Sequence, residues 1–135
     1  MIHQNRCKIF TLLISILLVC VFCFAAGAEE EGITIDEKYF PDRVFREEIL
    51  TYDYDSNNIL STSEVKDIKM LHLANRNVES LQGVEYLTEL SDLTCDANKL
   101  KVLDVSKNTK LKELSCGNNE LKELDLSNNT KLTYL

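Results

Sequence analysis

Tryptophan is absent from the 135 residues, proline occurs once, at Pro41, and aromatic residues make up only 7%. Histidine is nearly as scarce. His3 lies in the N-terminal apolar stretch, and His72 sits between Leu71 and Leu73 in an alternating segment. Period-two alternation turns such a residue outward when its leucine neighbours point in. A lone outward imidazole assembles no base–nucleophile pair, and no other catalytic constellation is visible, so the chain reads as not an enzyme. Hydrolase chemistry would have to come from sequence beyond Leu135. Positive charge is also short. Past residue 28 there are 13 basic against 22 acidic residues, a formal charge of −9. Nucleic acid and anionic membrane both need a basic footprint, so neither is an expected partner. Calcium, a cationic partner or plain solubility are compatible with this balance.

The chain begins with Arg6 and Lys8, an apolar run from Ile9 to Phe24 broken only by Thr11 and Ser15, and then Ala26-Gly27-Ala28. That order reads as a secretory signal peptide over residues 1–28, cut after Ala28. The rival is a membrane anchor, but the run is shorter than the roughly 20 residues a span needs. A lipoprotein fits less well, because Cys20 follows Val19 and Cys23 follows Phe22 where a small residue is wanted. The expected location is therefore secreted or extracellular, with no membrane insertion once the signal is cleaved.

From Leu90 onward the chain counts in 21s. Leu90, Leu111 and Leu132 open successive units, and Leu90-Ser-Asp-Leu93-Thr-Cys95-Asp-Ala-Asn98 is answered by Leu111-Lys-Glu-Leu114-Ser-Cys116-Gly-Asn-Asn119. A fixed period of this size implies a stacked solenoid, since one unit cannot bury its own apolar face. Alternation sends Leu93 and Cys95 inward. Asn98 and Asn119 fall where the chain must turn, placed to bond neighbouring backbone groups as a ladder. Export permits a Cys95–Cys116 disulfide, but the position alternates with Leu73 of the preceding unit, which favours a small buried hydrophobe. The last unit stops at its fourth residue, Leu135, so the repeats are expected to continue past a truncation.

These repeats resemble the leucine-rich repeat family in its 21-residue bacterial variety. The resemblance implies parallel strands on both sides of a flat solenoid, the second set formed by Leu103-Asp-Val-Ser and Leu124-Asp-Leu-Ser. A looser first unit, Ile68 to Val78 and then Leu81 to Leu90, carries Arg76 where Asn is expected. It is similar to the opening repeat of internalin-like proteins, with a short 3₁₀ segment in its second half. The expected fold class is a mainly β α/β repeat: a leucine-rich repeat solenoid over residues 68–135 behind a short helical cap over residues 29–67.

The cap contains Asp53-Tyr-Asp55-Ser-Asn57-Asn58-Ile59-Leu60-Ser61-Thr-Ser-Glu64. This segment resembles the EF-hand calcium loop, with Asp53, Asp55 and Asn57 at positions 1, 3 and 5, the Ile59 carbonyl at 7, Ser61 at 9 and Glu64 at 12. Position 6 departs from the pattern, since Asn58 replaces the usual glycine; Asn is the next most tolerant of left-handed angles. A helix-spaced apolar stripe from Asp42 to Tyr52 leads in, and Ser61-Thr-Ser-Glu64 is a capping box leading out. The bland alternative makes Glu64 a cap partner only and the Asp/Asn run a solvated turn. The resemblance implies one structural Ca²⁺ held weakly, at roughly 10⁻⁴–10⁻³ M. A single loop is unlike dockerins, which carry two. The stretch from Phe40 to Glu64 also resembles the segment preceding such repeats in secreted proteins of gut-dwelling Gram-positive bacteria.

The expected function is recognition of a protein or glycan by a monomeric module, through the outward side chains Met70, His72, Ala74, Asp92, Thr94, Asp96, Glu113, Ser115 and Gly117. The alternative is a spacer that holds a missing C-terminal domain or wall anchor away from the cell.

Overall fold

The computed structural model describes residues 31–135, so the signal segment and its cleavage site lie outside the described residues. The chain opens with β1 (Gly32–Thr34), followed by α1 (Arg43–Ile49) and a 3₁₀ turn (Leu50–Tyr52). Next come β2 (Ile59–Ser61), α2 (Thr62–Asp67) and β3 (Met70–His72), then a second 3₁₀ turn (Val84–Tyr86), β4 (Asp92–Thr94) and β5 (Glu113–Ser115). Among the described residues, no helix is long and apolar enough to cross a membrane.

Local chemistry sets the helix ends. Asp42 holds extended angles and its carboxylate accepts from the Phe45 N–H, which caps α1. Ser61 and Glu64 form the reciprocal capping box of α2 that their spacing predicts. Between these helices, β2 pairs antiparallel with β1, placing Leu60 opposite Ile33. Sequence reasoning does not find β1, because three residues in the Gly32–Thr34 stretch show no usable period.

The repeats build one parallel sheet, ordered β3-β4-β5. Leu71, Leu93 and Leu114 stand in register and are buried. Above and below them the core continues through Leu73, Cys95, Leu90 and Leu111. The segment Val84–Tyr86 is the 3₁₀ turn that the resemblance implied.

One expectation fails. Leu103-Asp-Val-Ser and Leu124-Asp-Leu-Ser carry no assigned strand. The cause is local competition for donors. Asp104 accepts from the Ser106 N–H at 2.9 Å and Asp125 from the Ser127 N–H at 2.8 Å, while the N–H of Asn108 turns back to the Val105 carbonyl. These turns take the Ser106 and Ser127 donors and the Val105 carbonyl, which a second ladder would need. Contact between coils on this side runs through asparagine side chains instead.

The cap is fastened to the first coil by named groups. Phe40 is fully buried and meets Phe45 and Tyr86 edge-on, with centroids 5.7 and 6.2 Å apart. The second oxygen of Asp42 accepts from the N–H groups of Glu79 (2.8 Å) and Ser80 (3.3 Å) in the first coil. Arg76, the residue out of pattern, pairs with Glu48 of α1, and the Tyr52 hydroxyl donates to the Met70 carbonyl. Apolar leucines that would face water at the start of a solenoid are thereby covered.

Candidate functional site

Two features stand out: the acidic loop of the cap and the outward face of the parallel sheet. The loop from Asp53 to Asn58 closes on its own backbone. The Asp53 carboxylate accepts from the N–H groups of Asn57 (3.1 Å) and Asn58 (2.8 Å). Asp55 accepts from the Asn57 N–H at 3.2 Å and from its side-chain amide at 2.9 Å, and the Asn57 amide oxygen accepts from the Ile59 N–H at 2.6 Å. Asn58 adopts φ 60°, the left-handed angle the sixth position demands, and Ser56 is left-handed as well.

Glu64 reaches back from the first turn of α2. One of its oxygens accepts from the Tyr54 N–H at 2.7 Å, the other from the N–H (2.8 Å) and hydroxyl (2.7 Å) of Ser61. Carboxylate oxygens of Asp53, Asp55 and Glu64 come within 4.8 Å of one another, and Asp53 and Glu64 are buried. Burial pushes the Glu64 carboxyl up, but the hydrogen bonds from Ser61 and Tyr54 outweigh it and hold the group below the usual carboxylate range. A depressed folded-state value means that this contribution to stability is present at neutral pH. It is lost as acid protonates the group.

The structure thus brings three of the six candidate ligands together as carboxylates. Asn57 and Ser61 are hydrogen-bonded onto those same groups. Ile59 sits in β2 opposite Thr34. A hard cation prefers a cluster of oxygens such as this one, and the loop conformation suits one. Against that, the Ser61 hydroxyl already serves Glu64, so the two would have to part for both to bind an ion directly.

On the sheet, register converts the outward residues into rows. Met70, Asp92 and Glu113 lie side by side, and His72, Thr94 and Ser115 form the next row. Tyr134 extends the first row through a parallel bridge to Glu113. Met70 is 52% exposed, and His72, Ala74, Glu113 and Gly117 are exposed too. Asp92, Thr94, Asp96 and Ser115 are half-buried. Asp92 is held by the Ser91 hydroxyl, and Asp96 accepts from the Gly117 N–H of the next coil at 3.0 Å. All the outward residues expected from alternation therefore share one face, and none of the ion pairs among the described residues uses its three carboxylates.

Both remaining cysteines are free thiols, Cys95 buried and Cys116 half-buried. Burial, with the neighbouring Cys116 and Asp96, pushes the Cys95 thiol up to about 12. It stays protonated at neutral pH and packs as a small apolar group.

Sequence reasoning missed a second asparagine column. Asn108 and Asn129 are buried on the side away from the strands, and each side-chain amide donates to two carbonyls of the preceding coil. Their recurrence one repeat apart in Ser-Lys-Asn-Thr-Lys and Ser-Asn-Asn-Thr-Lys was the available signal.

No family model matches this chain. Over 71 residues it is 35% identical to Internalin J of Listeria monocytogenes serotype 4b (strain F2365), covering 52% of this chain and 8% of that protein. Among solved structures it is similar to the functional domain of InlJ from Listeria monocytogenes, described as including a cysteine ladder. The identity is 32% and the TM-score 0.69, over 78% of this chain and 23% of that one. An internalin of L. monocytogenes, inlF, is 30% identical with a TM-score of 0.68, over 76% of this chain and 31% of that one. The chain thus spans less than a third of each relative's length. These likenesses support leucine-rich repeats in a mainly β repeat fold, as the sequence implied. Cys95 and Cys116 stand one repeat apart, at the inward position next to the strand ends.

Proposed function

We propose that this chain is an exported recognition module that binds a protein ligand on its strand face and performs no catalysis. The observation that supports this reading best is the in-register array of outward side chains on β3, β4 and β5. A rigid sheet offers such rows at fixed spacing, with little entropy to lose on binding. The internalin likeness and the export signal point the same way. A glycan ligand is also compatible with the face, where the one aromatic in these rows is Tyr134 at the end of the first. Reversing charge at Asp92, Asp96 and Glu113 is expected to abolish capture of the ligand in a pull-down; undiminished capture would defeat the assignment of the face.

The cap carries a structural calcium ion in this reading. Asp53, Asp55 and Glu64 would hold it, with Asn57, Ser61 and the Ile59 carbonyl as further oxygens. When bound, the ion relieves the mutual repulsion of the three carboxylates. With a Kd in the range of extracellular modules, 10 mM calcium stabilises the fold by about 1.5–3 kcal/mol. For a domain of this size that is a rise in Tm of several degrees. The rise is expected against chelator in wild type and absent in Glu64→Ala. Equal melting curves in calcium and chelator would remove the ion from the account.

A further inference from the structure

The two asparagine columns differ in how completely they are satisfied. Asn98, beside the strands, uses both ends of its amide: the oxygen accepts from Arg76 and Val78, and the nitrogen donates to three carbonyls. Asn108 and Asn129 use only the nitrogen. Their Oδ1 atoms are buried and accept from no protein group. Turning the amide over does not help, since Oδ1 would then face the two carbonyl oxygens that Nδ2 now bonds at 2.9–3.0 Å.

The neighbouring backbone donors are already committed. In the first coil the N–H groups of Tyr86 and Leu87 close the 3₁₀ turn on Gly83 and Val84. In the next, Ser106 serves Asp104 and Asn108 serves Val105. A donor with no access to solvent is left over at Val105. Val105 has no exposed surface, and its N–H makes none of the hydrogen bonds found among the described residues. Its carbonyl is the group that the Asn129 amide holds at 3.0 Å. An orphan donor and an orphan acceptor therefore belong to two residues already bonded to each other.

Each orphan costs roughly 1–3 kcal/mol if left unmade, and the smallest group that both accepts and donates is water. We propose a structural water site on the back of the solenoid, in which one buried water accepts from the Val105 N–H and donates to Asn129 Oδ1. It does for Asn129 what the Arg76 and Val78 amides do for Asn98.

The test is water–amide cross-relaxation by NMR, together with a crystal structure of the same chain. We expect a peak between the Val105 amide proton and water with the signs of a long-lived bound molecule. Density should lie within about 3.2 Å of both atoms. In Asn129→Leu the peak should vanish. Wild-type density with the Val105 N–H bonded directly to a protein acceptor would overturn the proposal, as would a peak that persists in a folded Asn129→Leu. Should that variant fail to fold, the wild-type density decides alone.

Discussion

Replacing Asn98 by alanine lowers the unfolding free energy by at least about 3 kcal/mol. The side chain makes five hydrogen bonds. It accepts from the N–H groups of Arg76 (3.1 Å) and Val78 (2.9 Å), and it donates to the carbonyls of Leu73 (2.8 Å), Cys95 (2.9 Å) and Asp96 (3.2 Å). Leu73, Val78 and Cys95 have no exposed surface, so water cannot replace the lost partner without opening the coil. Truncation leaves several orphan groups and a cavity together, which is the combination behind large mutational losses. Asn119 makes four of the five equivalent bonds one repeat later and is half-buried, so Asn119→Ala should cost markedly less. Urea melts of the two variants measure the difference. A loss below about 1 kcal/mol for Asn98→Ala would show that the ladder is incidental.

Gly83→Ala is expected to be as damaging, for a steric reason. Gly83 has φ +105° at the start of the second 3₁₀ turn, an angle outside even the left-handed region that asparagine tolerates. A Cβ there would lie 2.4 Å from Phe40 Cδ1 and 2.7 Å from the Tyr39 carbonyl oxygen. Phe40 is wedged between Phe45 and Tyr86 and cannot retreat. Strained backbone and overpacking each cost about 1–3 kcal/mol, and here they fall on the junction between cap and first coil. Gly117→Ala is the control, since its Cβ would meet only Asp96 Oδ1 at 3.3 Å and φ is ordinary. Thermal melts should show a drop of well over ten degrees for Gly83→Ala and little change for Gly117→Ala. Similar melting of the two would refute the wedge.

Much of the fold was legible because it repeats. Period two at Leu71-His72-Leu73 and Leu93-Thr94-Cys95 set which residues face in, and the recurrence of Leu90 and Leu111 set the stacking. The capping box at Ser61 and Glu64 was readable for the same kind of reason: two residue types at fixed spacing make one specific pair of bonds. Long-range contacts were not. Asp42 carries no sequence mark of its bonds to Glu79 and Ser80, and nothing near Gly83 announces the Phe40 ring that forbids a side chain there. The back strands were misread because the half-unit Leu-Asp-Val-Ser alternates like a strand while its aspartate spends itself on a turn. In the acidic loop, the sequence anticipated the convergence of Asp53, Asp55 and Glu64, but not that the Ser61 hydroxyl would also donate to the Glu64 carboxylate.

The most direct measurement is the affinity of one captured ligand for the wild-type chain, for the Asp92→Lys/Asp96→Lys/Glu113→Lys variant, and for a back-face control. Val102→Asp serves as that control, being 75% exposed on the side away from the strands. Folding of each is checked by its melt. If the strand face is the recognition surface, the triple variant loses at least about ten-fold in Kd, or 1.4 kcal/mol, while Val102→Asp binds as wild type. Unchanged affinity in the triple variant, with loss in Val102→Asp, would place recognition on the back of the solenoid and contradict the account.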